Sequence, residues 1–326
     1  MKIEKQIIVI LFIFLLAIGS CKKKKDEHDN SFGNINEISV IITDALWSGE
    51  VGDSIRKKLA APVDGLLNEE PLFTINQYPD KIFDGALTKG RNIIMVEKGK
   101  PNNFTFKQNK FCAPQNIFTL SGENTEELLM IIQMHSEEII KTIKDTETIE
   151  IQSRNEKAGL LNENTISNLF GIYIKVPKAY SPAIEDKNFL WLKKDIPSGN
   201  CNILIYSIPY DVIEQNKNIL NNIIKMRDSI GKLYIHSQEE NAYMVTEEAY
   251  SPYFFTTSLK HKKVFETRGN WEMKNDFMNG PFLNYAIKDE KNRKYIVIEG
   301  FIYSPSSPKR DLVVELESII KSVTFP

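Results

Sequence analysis

The chain has 326 residues, 42% of them hydrophobic and 26% charged, with a net charge of -2. That length holds one large domain or two ordinary ones. The balanced charge gives no support for a nucleic-acid partner, which would favour a basic face.

Residues 1–6 carry Lys2 and Lys5, residues 7–18 are almost wholly apolar, and Gly19-Ser20 lead into Cys21. A charged start, a short apolar run and small residues in that order predict an export signal over residues 1–20. The apolar run is shorter than the ~20 residues a spanning helix needs. Ile18-Gly19-Ser20-Cys21 resembles the lipobox of bacterial lipoproteins. The resemblance implies that Cys21 becomes the acylated first residue of the mature chain, carrying chains such as palmitate. An ordinary secretory peptide with an incidental cysteine is the competing reading. One acyl chain binds a bilayer only marginally, so stable anchoring needs at least two. The lysines at 22–25 would then lie at the headgroups, and residues 21–33 would form a tether. The expected location is the cell envelope, at the outer membrane, with periplasmic and surface faces both open. Export also permits a disulfide between Cys112 and Cys201. Cysteines this far apart are more often separate core residues, and both readings stand.

A first α+β half is expected over residues 34–160. Residues 37–43 (EISVIIT) read as a strand, and Val51, Ile55 and Leu59 share one face of a helix over 48–60. Pro62 and Gly65 end that helix. Residues 72–75, 92–97, 104–108 and 116–120 are candidate strands. The strongest helix starts at Asn124, an N-cap with Glu127 three residues on. Leu128, Ile132, His135, Ile139 and Ile143 then form its buried stripe. A lone histidine on such a stripe reads as partly buried with one satisfied nitrogen. From 146 to 168 the chain turns polar, with a weak helical signal over 163–169, and the seam between halves is placed there.

A second α+β half is expected over residues 161–326. Strands are predicted at 172–176, 189–192 and 201–208, and a helix at 211–230. Residues 282–287 and 295–303 form a hairpin around a polar turn. A closing helix over 308–323 presents Leu312, Leu316, Ile319 and Val323, which should pack on the sheet containing that hairpin. Strands followed by long amphipathic helices predict an α+β fold, with antiparallel sheets covered by helices.

GNINEISVII, LAAPVDGLLNEEPLF and GRNIIMVEKG in the first half, with RGNWEMKNDFMNGPF and IEGFIYSPSSPKRD in the second, carry a resemblance. The chain from Gly33 onward resembles an envelope lipoprotein family of unknown function, the domain family numbered four-eight-three-seven. That resemblance implies an envelope lipoprotein and no assigned catalysis. From Gly171 the order of elements also resembles the Mog1/PsbP-like α/β/α sandwich, whose members bind partners or assist assembly.

His28, His135, His236 and His261 lack metal-ligand spacing to one another or to a cysteine, so neither a metal nor another cofactor is expected. No nucleophile elbow and no phosphate-cradling glycine loop is present. The acidic pairs Glu69-Glu70 and Glu247-Glu248 read as solvated surface. Residues 268–282 stand out, packing Trp271, Met273, Phe277, Met278 and Phe282 among glycines, and residues 250–256 (YSPYFFT) are a second aromatic stretch. Arg268, Trp271, Phe277, Met278, Tyr253 and Phe254 are therefore the candidate partner-binding residues, since Trp, Met and Arg are enriched at contact surfaces. In the competing reading these aromatics fill a core and Gly280-Pro281 make a turn. Three functions follow in order of support: a non-catalytic module binding a protein, peptide or glycan, a structural or assembly lipoprotein, and a hydrolase with a dispersed site.

Overall fold

The computed structural model describes residues 30–326. The expected signal segment, the expected acylation site Cys21 and nearly all of the expected tether lie outside the described residues.

The first half contains β1 (Glu37–Ile41), α1 (Asp44–Trp47), α2 (Glu50–Leu59), β2 (Thr74–Tyr78), β3 (Asn92–Lys98), β4 (Asn103–Gln108), β5 (Asn116–Gly122) and α3 (Thr125–Ala158). Its sheet runs β2-β1-β3-β5-β4. β1 pairs in parallel with β2 and β3, and β3 in parallel with β5, so β4 alone is antiparallel. The α+β class stands, but in this half the expected antiparallel sheet is corrected to a mostly parallel one. The reason is the connections: α2 carries the chain back between β1 and β2, and residues 79–91 carry it back between β2 and β3, so these strands re-enter from the same end. β3 and β5 are accordingly buried almost continuously, without the alternation of a one-sided strand. Ile38, Val40, Ile94 and Val96 meet Val51, Ile55 and Leu59 of α2 and Leu128, Ile132 and Ile139 of α3 in one core.

α3 begins as its sequence predicts. Asn124 Oδ1 accepts from the Glu127 N–H at 2.9 Å, and the Glu127 carboxylate accepts from the Glu123 N–H at 2.9 Å. The helix then runs for 34 residues, through the polar stretch where the seam was expected. At 1.5 Å per residue it is about 51 Å long. Its sequence turns polar there because the buried partner changes. Glu147 is 1% exposed and accepts from Arg91 Nη2 at 2.5 Å and Asn92 Nδ2 at 2.8 Å. One turn further, Gln152 Nε2 donates to the Ser318 carbonyl at 2.8 Å, so the same helix reaches the second half.

The second half contains α4 (Asn164–Phe170), β6 (Ser181–Asp186), β7 (Phe189–Ile196), β8 (Gly199–Pro209), α5 (Tyr210–Glu214), α6 (Ile219–Tyr234), β9 (Tyr243–Thr246), β10 (Tyr253–Leu259), β11 (Lys262–Lys274), β12 (Asn279–Asp289), β13 (Lys294–Tyr303) and α7 (Arg310–Lys321). The strands form one antiparallel sheet in the order β10-β11-β12-β13-β8-β7-β6, with β9 beside β11. Residues 172–176 form no strand; Tyr173 makes only an isolated bridge to Thr324. The single helix expected over 211–230 is split. Asn218 caps α6 by accepting from the Asn221 N–H at 3.2 Å, and Asn222 Nδ2 donates to the Ile213 carbonyl at 2.8 Å, satisfying the end of α5.

Helices cover both faces of this sheet. On one face Leu283, Tyr285, Ile287, Ile296, Ile298 and Ile302 pack with Leu316, Ile319, Ile320 and Val323, so α7 docks where its stripe requires. On the other, Phe282, Ala286, Val297 and Phe301 pack with Ile223 and Met226 of α6. Cys201 is buried in this half, where burial pushes its thiol up to about 11. Cys112 is buried in the first half, its thiol donating to the Lys89 carbonyl at 3.2 Å. No disulfide joins Cys112 to Cys201. Among the described residues no helix is long and apolar enough to cross a membrane.

Candidate partner-binding site

The loop between α2 and β2, residues 60–73, reaches across to the second half. Gly65 adopts φ +87°, and a Cβ there would lie 3.1 Å from Arg268 Cβ and 3.2 Å from the Gly269 nitrogen. Only glycine lets this loop lie so close to β11. A cleft opens on each side of it. One, of about 350 Å³, is lined by Leu67, Glu70, Phe277, Pro281 and Tyr303. The other, of about 310 Å³, is lined by Leu66, Leu67, Tyr250, Tyr253 and Asn270. Phe277 is 100% exposed, Tyr250 62%, Tyr253 49% and Leu67 44%. Together they rim a groove along the seam.

The loop is held by ion pairs and caps that span the two halves. Glu70 accepts from the backbone N–H of Lys309 at 2.7 Å and of Arg310 at 2.8 Å, the first donors of α7. Arg310 Nη1 donates back to the Pro71 carbonyl and to Thr74 Oγ1, both at 3.1 Å. Asn36 Nδ2 donates to Asp311 Oδ1 at 2.8 Å. Beneath the loop, Arg268 lies between Glu266, at 2.5 Å, and Glu317, at 2.7 Å, and Lys321 also pairs with Glu317 at 2.7 Å. Burial alone would push the Glu317 carboxyl up. The Arg268 guanidinium and the Lys321 ammonium outweigh it and hold that carboxyl well below the usual range. Local desolvation at the seam, with the neighbouring Arg268 and Lys321, also pushes Lys144 of α3 down, although its side chain is exposed.

The structure divides the six candidate residues. Tyr253 and Phe277 stand on the groove rim. Phe254 and Met278 are half-buried against the core under α6. Trp271 is corrected to an interior residue, and Arg268, 15% exposed, is tied into ion pairs beneath the loop and is not free on the rim. β11 is flanked on both sides by strands, and its Trp271 side chain faces the core under α6. Trp271 is 1% exposed, donates from Nε1 to the Ile302 carbonyl at 3.1 Å and stands edge-on to Phe301. Gly280-Pro281 lie inside β12 and make no turn. A Cβ on Gly280 would come within 2.0 Å of the Ile302 carbonyl oxygen, which is why glycine stands there. Leu67, Tyr303 and Glu70 join the site without any local signal in the sequence. Glu70, read as solvated surface, acts on backbone 239 residues away.

A larger cavity of about 610 Å³ opens at the carboxyl ends of β1 and β3, lined by Thr43, Glu50, Asp80, Met95, Lys98 and Thr125. It lies where the strand order reverses, the usual ligand crevice of an open parallel sheet. Lys98 Nζ donates there to Thr125 Oγ1 at 3.0 Å. His135 has its Nδ1 3.0 Å from Glu138 Oε2 and its ring stacked on Phe104 at 3.9 Å, so it is satisfied in place. Glu247 is pushed up by burial and by Glu272, and one of its carboxylate oxygens is buried without a hydrogen-bond partner among the described residues. Among the described residues no group of three or more His, Cys, Asp or Glu is placed to hold a metal ion.

Fold and site together define a two-sheet α+β protein, bridged by one long helix and one loop, with an aromatic groove on the seam. Residues 160–322 match the family described as Domain of unknown function (DUF4837), and the chain belongs to that family. The resemblance read from Gly33 onward divides in two, because residues 31–156 match a separate family, Domain of unknown function (DUF8532). No curated protein matches the chain. Among solved structures it is similar to the Ran-binding protein Mog1p of Saccharomyces cerevisiae, at 9% identity over 47% of this chain and 89% of that one, with a TM-score of 0.32. A Mog1 point mutant matches equally well. Human StAR-related lipid transfer protein 5 matches at 6% identity over 54% of this chain and 95% of that one, with a TM-score of 0.19. At these scores the likenesses carry no argument about partner or activity.

Proposed function

We propose that this protein is a lipid-anchored module of the cell envelope, held at the outer membrane through Cys21. It binds a protein, peptide or glycan partner in the groove along its seam. The observation that carries the reading is the wholly exposed Phe277, which shares the groove rim with Tyr250, Tyr253 and Leu67. Contiguous apolar rims of this kind mark interaction sites on soluble domains, and aromatic residues dominate the energetics of contact. The rim is also rigidly mounted, since Glu70 and Gly65 fix the loop that divides the two clefts. The order of charge, apolar run, small residues and cysteine supports the anchor.

Two measurements test the reading. Cys21→Ser should leave the precursor uncut or release the protein from membranes; normal processing and retention would rule out the anchor. A photo-crosslinking side chain at position 277 should yield a discrete adduct in intact cells. That adduct should be lost when Tyr250 and Tyr253 are both changed to serine. An adduct unchanged by the double substitution would remove the groove from the binding surface.

A further inference from the structure

Among the described residues five strands form the edges of the two sheets. β9 continues the β10 edge beside β11 but is only four residues long and is bridged by His236. Three of the other four are guarded. β6 carries Pro182, Glu185 and Asp186, and its register with β7 breaks between Pro182 and Ile184. β4 carries Lys107. β2 has Arg310 laid against it at Thr74. Charge, proline, bulges and covering groups are the standard devices that stop an edge from pairing with another chain. β10 has none of them. Its sequence, YFFTTSL, has no charge and no proline, and its seven residues pair with β11 in unbroken register. Tyr253 and Phe255 are 49% and 40% exposed, and Thr256, Thr257 and Ser258 are exposed as well. Among the described residues no strand pairs with the outer edge of β10.

We propose that β10 is a docking edge, and that the partner is an extended polypeptide segment that adds to the sheet as its next strand. This names the partner class for the binding proposed above and rests on that reading. Unpaired backbone N–H and C=O groups in a row select an extended chain over a glycan or a folded surface, because only a strand satisfies them in series. The two ends of β10 define the rest of the occupant. At one end Tyr250 and Tyr253 border the cleft beside Leu66 and Leu67, which takes a large apolar side chain. At the other, Lys260 and His261 make a tight turn with both φ angles positive, at 49° and 65°, and Lys262 and Lys263 follow. Three lysines at that tip select an acidic residue. The segment is about seven residues long, acidic where it passes the hairpin tip and apolar where it enters the seam groove.

The test uses the full mature chain in detergent and two fluorescent nonapeptides. One has two aspartates, alternating valine and threonine, and a terminal phenylalanine; the other is its reverse, so that both strand directions are sampled. One of the two should bind with a Kd on the order of micromolar. Replacing its aspartates with lysines should weaken binding about tenfold or more. N-methylation of alternate residues should abolish binding in one phase and leave it nearly unchanged in the other, because only every second residue of an added strand faces the edge. Hydrogen exchange at residues 253–259 should slow in the complex. Equal effects of the two methylation phases, or no binding by either peptide, would overturn the proposal. So would concentration-dependent dimerisation through β10 in the absence of peptide, which would make a second copy the occupant. Binding to phosphatidylglycerol vesicles but to neither peptide would also overturn it, in favour of a lipid surface. If the peptides fail while the position 277 adduct still depends on Tyr250 and Tyr253, the groove reading survives and the strand proposal alone falls.

Discussion

Arg268 Nη2 lies 2.7 Å from Glu317 Oε1, and through this pair the strand β11 is fastened to helix α7 directly under the seam. Breaking a buried ion pair from one side typically costs about 3–5 kcal/mol, because the remaining charge keeps its desolvation penalty. Arg268 and Glu317 are 15% and 16% exposed and Glu266 still faces Arg268, so Glu317→Gln should fall at or below the lower end of that range, read from the urea midpoint. The pair also predicts a pH dependence. The folded carboxyl of Glu317 is held below its unfolded value, so its contribution is complete above that unfolded value, about 4.3, and is lost as pH falls further. Between pH 6 and pH 3 the wild type should therefore lose more stability than Glu317→Gln. Parallel losses would show that the pair does not carry this dependence.

Lys144 makes the opposite prediction at the same place. Local desolvation at the seam, with Arg268 and Lys321 beside it, lowers the pKa of the exposed Lys144 ammonium, so the charged form is disfavoured in the fold relative to the unfolded chain. That cost is present at neutral pH and fades as pH rises towards the usual lysine value of about 10.4. Lys144→Met removes it, and the melting temperature should hold or rise. A clear fall would mean that attraction to Glu317 outweighs the burial cost.

Glu70 ties the groove loop to the first turn of α7. Removing an N-terminal cap costs about 0.5–2 kcal/mol, and the loop it anchors should loosen as well. Glu70→Ala should lower the melting temperature and speed proteolysis within residues 60–73. Lys309→Ala keeps the backbone N–H that Glu70 accepts and should change neither.

Leu316 is fully buried between α7 and the sheet. Cutting such a leucine to alanine costs about 2–5 kcal/mol, a large share of the ~5–15 kcal/mol that holds a domain together. Leu316→Ala should lower the melting temperature clearly. A change as small as that of Lys309→Ala would show that α7 is not docked as described.

By itself the sequence determined what depends on neighbours a few residues apart. Asn124 and Glu127 announce the start of α3 because capping is a contact within one turn. Leu283, Tyr285 and Ile287, alternating along β12, and Leu312, Leu316 and Ile319 along α7, announce their buried faces because period two and period three to four are properties of the chain. The tertiary structure decided what depends on partners far away. Whether β1 and β3 run parallel is set by where residues 79–91 cross the sheet, and no strand records that in its own composition. Trp271 and Phe277 belong to the same aromatic stretch, yet one is 1% and the other 100% exposed, because β11 is flanked by strands while the turn after it is not. Glu147 made α3 look finished because its partners, Arg91 and Asn92 at the start of β3, lie more than fifty residues away. Glu70 was indistinguishable from surface until α7 arrived from 239 residues away. Periodicity reveals that a face is buried; only packing reveals what covers it, and a binding groove is made of the faces left uncovered.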